Sequence, residues 1–266
     1  MERRRGHAVR ELGPEGAPPI VFAHGFGCSQ DMWRLVAPAF AGEHRVVVFD
    51  HVGAGEADPA LWDPERHGSL DGYADDVIAL LDELALGPVT FVGHSVSSMI
   101  GVLACTRRRD LIDRLVLVSP SPRYLDDDGY RGGFTRADME DLLAQLDRNY
   151  IGWAGAMAPA IMGNPDRPEL AAELESSFCR TDPDIARHFA RATFLGDNRS
   201  DLRDVSVPTL VLQCADDAIA PTEVGSFVAE QIPNAALHVL PVSGHCPNLS
   251  APELTADAIR AFVTAA

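Results

Sequence analysis

"FVGHSVSSMIG", residues 91–101, runs from an apolar strand pattern through Gly93-His94-Ser95 straight into a stretch that is apolar or small on nearly every helical face. A serine on such a strand-to-helix turn exposes its hydroxyl, provided that the residues two before and two after it are small enough for strand and helix to approach. Gly93 meets that condition fully. Ser97 stands where the usual pattern has its second glycine, so its Cβ and hydroxyl must find room. A serine here can also be a plain helix N-cap, and the choice between cap and nucleophile rests on what surrounds Ser95.

Outward from this turn the chain alternates. "PIVFAHG" (19–25), "HRVVVFD" (44–50), "VTFVGHS" (89–95), "RLVLVSP" (114–120), "VPTLVLQC" (207–214) and "ALHVLPV" (236–242) read as short strands, most of them buried. Residues 69–86 place Val77, Leu80, Leu81 and Leu84 at helical spacing, with acids expected on the other face. Further helices are expected over 222–232 and 253–265. This order predicts an α/β fold, a mostly parallel central sheet flanked by helices. Residues 123–200 break the alternation: they hold no convincing strand and read as helices separated by "NPDRP", "TDP" and "GDN". The expected organisation is a core from 1–122 and 201–266 with a helical lid, 123–200, inserted between.

Hydrolytic chemistry at Ser95 needs a base, an acid to orient it and donors for an oxyanion, each at the C-terminal end of a strand. "VSGHCP" puts His245 just past the last strand, and "QCADDAIAP" puts Asp216 and Asp217 just past the strand before it. Serine, then aspartate, then histidine is a known chain order for a nucleophile on a strand-to-helix turn. One of the two aspartates should face His245 while the other caps the following turn. "HGFG" (24–27) offers the Phe26 N–H, which with that of Val96 can form an oxyanion hole. His24 and His94 are read as structural supports of that loop and of the turn. "GAGEAD" (53–58) lacks the lysine and the spacing of a phosphate loop and reads as a tight turn.

Composition removes other classes. With 22 Lys and Arg against 39 Asp and Glu, the formal charge is −17 over 266 residues, which argues against nucleic acid or an anionic membrane as partner. No apolar run approaches the roughly 18 residues of a membrane helix, and "MERRRGHAVRELGPEG" has no apolar secretion segment, so a cytoplasmic location is expected. Five scattered cysteines without CxxC spacing indicate neither disulfides nor zinc, and the nine histidines show no HxH or HExxH spacing. No metal, dinucleotide or flavin is called for, and a monomer acting on a small molecule is expected.

Together "HGFGCSQDMW", "VVVFDHVGAGEAD", "LDGYADDV", "FVGHSVSSMIG", "NYIGWA", "TDPDIAR", "LQCADDAIAP" and "GHCPNLSAP" resemble the α/β-hydrolase branch that contains the bacterial stress regulator RsbQ and the plant strigolactone and karrikin receptors. "NYIGWA", "NPDRPE" and "TDPDIAR" lie closer to RsbQ, while "GHSVSSMIG" resembles the plant receptors, which also carry serine after the nucleophile. The resemblance implies Ser95 as nucleophile, His245 as base, Asp217 as the orienting acid and the Phe26 and Val96 amides as the oxyanion hole. It also implies a four-helix lid over an apolar pocket lined by Tyr124, Phe134, Trp153, Met157, Phe178 and Phe194. His51 stands where RsbQ-like chains more often carry an aromatic such as Tyr. The implied activity is hydrolysis of a small apolar ester, lactone or enol ether, alone or in signalling with a regulatory protein partner such as a PAS-domain phosphatase.

Overall fold

A strand buried on both faces must carry apolar side chains at consecutive positions, because alternate residues point to opposite sides. Residues 20–23 do so without interruption and residues 89–94 are buried throughout, and in the computed structural model, which describes residues 2–265, they lie at the middle of the sheet. The strands are β1 (Arg10–Leu12), β2 (Pro19–Ala23), β3 (Arg45–Phe49), β4 (Val89–His94), β5 (Ile112–Val118), β6 (Thr209–Asp216) and β7 (Ala235–Ser243). They are ordered β1-β3-β2-β4-β5-β6-β7, with β1 antiparallel to β3 and every other pair parallel.

The helices are α1 (Glu2–Gly6), α2 (Leu70–Leu84), α3 (Val96–Arg107), α4 (Arg136–Arg148), α5 (Tyr150–Met162), α6 (Pro168–Phe178), α7 (Pro183–Phe194), α8 (Thr222–Gln231), α9 (Pro247–Ser250) and α10 (Pro252–Thr264). Val21, Val47, Phe91, Leu115 and Val211 pack on one face with Val77 and Leu80 of α2, Met99 and Ile100 of α3 and Val228 of α8. Ile20, Phe22, Val92, Val116 and Leu212 pack on the other with Trp33, Phe40 and Ile259 of α10. Helices therefore cover both faces. The helices α4 to α7 all lie between β5 and β6 in the chain, and Trp153, Phe178, Phe189 and Phe194 from three of them join the first of these cores.

Register brings the strand ends level. Ala23 pairs with Gly93, His94 with Val118 and Val118 with Leu212, so the loops after β2, β4, β5 and β6 leave the sheet along one edge. The β6–β7 pairing slips between Cys214 and Asp216, immediately before Asp217. Such an irregularity re-aims the chain where a strand ends.

Two local features depart from the sequence reading. The edge strand β1 is too short, at three residues, to show any alternation. On α2 the acids do not all face water: Asp76 is buried and receives bonds from Arg3 (2.8 Å), Arg66 (2.5 Å) and His67 (2.9 Å). Burial raises the cost of its charge, and the His67 hydrogen bond with the Arg66 charge outweighs that and holds the carboxyl below its usual range. Asp75 beside it is exposed and pairs with Arg107 at the surface. Asp76→Ala is expected to lower stability by about 3 kcal/mol by leaving the buried His67 Nε2 unpaired and the part-buried Arg3 and Arg66 guanidinium groups without their shared carboxylate, and Asp75→Ala by less than about 1 kcal/mol. Chemical denaturation of both variants checks the contrast; equal losses would refute it.

Candidate active site

The turn after β4 is set by crowding. A Cβ on Gly93 would overlap the Ser97 carbonyl and lie 2.8 Å from the Ser98 nitrogen. With strand and helix that close, Ser95 is held at φ 56°, ψ −121°, a conformation non-glycine residues rarely adopt. Its N–H donates to the Val118 carbonyl (2.8 Å), and Ser98 Oγ donates back to the Gly93 carbonyl (2.9 Å).

Ser95 Oγ lies 2.8 Å from His245 Nε2, and His245 Nδ1 lies 2.8 Å from Asp217 Oδ2. Facing a carboxylate, Nδ1 carries the proton, which leaves Nε2 to accept from the serine hydroxyl. The other oxygen of Asp217 accepts from the Ile219 and Ala220 N–H groups (2.8 and 3.0 Å), and Gln213 Nε2 donates to the Ala220 carbonyl (2.7 Å), holding that turn from below. Burial opposes the Asp217 charge, while the electrostatic attraction and hydrogen bond of His245 and the two amides outweigh burial and keep the carboxyl below its usual range. Asp217 thus faces the histidine and caps its own turn. The capping assigned above to a second aspartate is carried by Asp217, and Asp216 is exposed. A hydroxyl, imidazole and carboxylate in this order can pass the serine proton to the ring and stabilise the charge that forms there.

His24, His51 and Ser97 form a second, buried hydrogen-bond chain. The His51 N–H donates to His24 Nε2 (3.1 Å), so His24 carries its proton on Nδ1, which donates to the Gly25 carbonyl (2.9 Å). The Cys28 N–H donates to the same carbonyl (3.3 Å). In a planar trans peptide the N–H points away from the carbonyl, so pinning the Gly25 carbonyl fixes the direction of the Phe26 N–H. Ser97 Oγ donates to the His24 carbonyl (2.5 Å) and accepts from His51 Nε2 (2.7 Å). The hydroxyl that replaces a glycine hydrogen is therefore fully used, and His51 is its partner. Burial lowers the pKa of both His24 and His51, so both rings are neutral. Val96 opens α3, where first-turn N–H groups have no intrahelical acceptor.

His94 Nε2 donates to the His245 carbonyl (2.9 Å), and its ring closes over Gly25, where a Cβ would lie 2.7 Å from Nδ1. Burial, followed by repulsion from His245, pushes the His94 pKa down to about 3. The Cys28 and Cys246 thiols nearby are pushed up by burial, Cys28 to about 12, so neither is a competing nucleophile.

Above Ser95 lies a cavity of about 40 Å³. That holds a ligand portion of a few waters' bulk. Phe26, Tyr124, Phe134, Trp153, Met157, Phe178 and Phe194 all stand in its wall, and the Tyr124 hydroxyl lies 3.5 Å from Ser95 Oγ. The Phe26 ring sits among Trp153, Phe178, Phe189 and Phe194 with centroids 5.6–6.1 Å away, so α5, α6 and α7 grip the residue whose amide direction is fixed below. The far end of α5 touches the histidine loop: the His245 N–H donates to the Ile161 carbonyl (2.8 Å). Gly244, at φ 93°, has no space for a side chain against the Met162 carbonyl. Leu142, Ile161 and Thr193 also line the cavity. The sequence gives no sign of this, since which face of a helix meets a cavity depends on how the helices cross.

The model of the alpha/beta hydrolase family matches residues 20–258. The chain belongs to the alpha/beta hydrolase family. Among curated relatives it is 39% identical over 249 residues to karrikin insensitive 2 receptor CA of Petunia hybrida, covering 93% of this chain and 92% of that one. It is 37% identical over 253 residues to strigolactone esterase D14 of Arabidopsis thaliana, covering 95% and 94%. Among solved structures, a hydrolase from Oleispira antarctica, olei00960, superposes with a TM-score of 0.97 at 41% identity, over 100% of this chain and 97% of that one. This alpha/beta hydrolase thus stands in the branch of the plant strigolactone and karrikin receptors. Among the described residues no helix is long and apolar enough to cross a membrane.

Two outcomes follow from the buried histidines. His94 titrates near 3 when folded and near 6.5 when unfolded, so between those values the unfolded chain binds more protons and stability falls as pH falls. His94 alone should remove about 2 kcal/mol between pH 6.5 and 5, read as a falling Tm whose slope is reduced in His94→Gln; an unchanged slope in that variant would contradict the assignment. Ser97→Gly, despite restoring the usual glycine, should cost about 2 kcal/mol by orphaning His51 Nε2–H and the His24 carbonyl. In a double-mutant cycle with His51→Phe the two losses should sum to more than the double mutant shows; strict additivity would mean that the two residues are not coupled.

Proposed function

We propose that this alpha/beta hydrolase is a serine hydrolase in which Ser95 is the nucleophile, His245 the general base and acid, and Asp217 the carboxylate that orients it. The observation that carries the reading is the unbroken pair of 2.8 Å contacts from Ser95 Oγ through His245 to Asp217. In the first step Ser95 Oγ attacks the substrate carbonyl while its proton passes to His245 Nε2. The Phe26 and Val96 N–H groups take the oxyanion, and preset donors of this kind act without reorganising as charge develops. His245 then gives the proton to the leaving oxygen, and a water, activated by the same ring, releases the acyl group from Ser95. Residues 123–200 act as a lid that sets the size of the substrate. The aromatic wall favours a small, mostly apolar ester, lactone or enol ether, since apolar walls select chiefly by size and shape.

A second reading concerns purpose rather than chemistry. Relatives named as karrikin insensitive receptors and as strigolactone esterases, together with the RsbQ-like segments "NYIGWA", "NPDRPE" and "TDPDIAR", favour a cytoplasmic regulator. Such a protein turns over slowly and acts with a protein partner such as a PAS-domain phosphatase. A time course on an aryl ester and a butenolide, with product and intact protein mass followed together, separates the two. Steady turnover without a lasting adduct supports a metabolic esterase, and a burst near one equivalent followed by slow release supports the regulator. Either way Ser95→Ala should lose at least about 10³-fold in rate, and Asp217→Asn should lose far more than Asp216→Asn. An unchanged rate in Ser95→Ala would remove the mechanism.

A further inference from the structure

The end of α5 lies against the loop that carries His245. The last four carbonyls of a helix have no N–H partner within it, and here two of them are taken up from outside. The His245 N–H donates to the Ile161 carbonyl (2.8 Å), and the Asn164 side-chain amide donates to the Met162 carbonyl. The same amide nitrogen donates to the Ser243 carbonyl (3.1 Å). With two carbonyls before it, only the NH2 end of the asparagine can face them. Between the two segments backbone meets backbone: Gly163 turns at φ 61°, and a Cβ on it would lie 2.9 Å from the Gly244 Cα. Around the histidine, the Ser243 carbonyl is held by Asn164, the Gly244 N–H by the Asp216 carbonyl (2.7 Å), the His245 N–H by Ile161 and the His245 carbonyl by His94 Nε2 (2.9 Å). Two of these four ties come from the helical segment between β5 and β6. The asparagine of "NPDRP", which in the sequence is only a helix breaker, bonds the helix end and the histidine loop at once.

We propose that Asn164 is a positioning residue for the reaction: through the Ser243 carbonyl it holds the histidine loop so that the His245 ring keeps its 2.8 Å contacts with Ser95 and Asp217 together. This rests on the reading of His245 as base and extends it. A ring that must meet two partners at once tolerates displacements of only about 0.5 Å. The chain leaves β7 at Ser243, two residues before that ring, and the β6–β7 register is already irregular there. The sheet alone therefore does not set the distance from His245 to Ser95. Asn164 is not among the residues that line the cavity, so its loss acts on proton transfer and leaves the seat of the acyl group as it is.

The test compares the full chain with Asn164→Ala and Asn164→Asp on p-nitrophenyl acetate and on a fluorophosphonate. Aspartate keeps the shape of asparagine but turns oxygen, not N–H, toward the two carbonyls. With the fluorophosphonate, Ser95 Oγ displaces fluoride from phosphorus as its proton passes to His245 Nε2, a step that needs the base but no fitted acyl group. Its endpoint counts the competent sites, so kcat refers to folded molecules only, whatever fraction of a variant folds. Both variants should lose about 10- to 100-fold in kcat and in the phosphonylation rate, the scale of a misplacement near 1 Å. KM should change by less than about twofold, as when an interaction made only in the transition state is lost. An unchanged kcat in both variants, a rise in KM alone, or an Asn164→Asp that keeps the full rate while Asn164→Ala loses it would overturn the proposal, the last by showing that bulk and not the donor matters. Ser95→Ala is assayed alongside: hydrolysis and labelling that persist in it count against the nucleophile, whereas Ser95-dependent hydrolysis with kcat unchanged in both Asn164 variants counts against the positioning role alone.

Discussion

The distance between β4 and α3 governs the rest of the site. Because no side chain fits at Gly93, the chain can pass from strand to helix only with Ser95 in a sparsely populated backbone conformation, which costs on the order of 1–3 kcal/mol. Hydrogen bonds from Ser95 N–H and Ser98 Oγ hold the turn, and a helix buried over ten consecutive residues, Val96 to Cys105, packs it against the sheet. The strain is tolerated because it sits where the fold is densest. Its result is a hydroxyl raised above the sheet edge, within reach of loops that follow β6 and β7.

A second constraint acts on the loop after β2. The direction of one peptide N–H, that of Phe26, is set from below by His24 and Cys28 and from above by the aromatic side chains around the Phe26 ring. His24 can do this only as one tautomer, and the His51 backbone N–H selects that tautomer. The serine at 97 and the histidine at 51, each unusual when taken singly, are two halves of one bond. Fully paired buried polar groups of this kind specify a single arrangement, and a half-paired one would be worse than none.

The sequence makes the sheet legible because buried parallel strands need mostly apolar runs, as in "PIVFA" and "VTFVG". It also brings Ser95, His245 and the two aspartates to one sheet edge, since each follows a strand. What it lacks is anything that depends on crossing angles or on single bonds. The α2 pattern assigns acids to the outer face, yet Asp76 is drawn inward by Arg3, Arg66 and His67, two of them on segments outside any strong periodicity. Asp217 takes the capping role that spacing alone gives to its neighbour, because the slip in the β6–β7 register turns it toward both the histidine and its own turn.

The bond from the His245 N–H to the Ile161 carbonyl joins the wall of the cavity to the ring that meets Ser95. Asn164 adds a second tie, from its side-chain amide to the Ser243 carbonyl (3.1 Å). The end of α5 and the loop that carries His245 are thus tied through two different residues, so neither can shift alone without breaking both bonds.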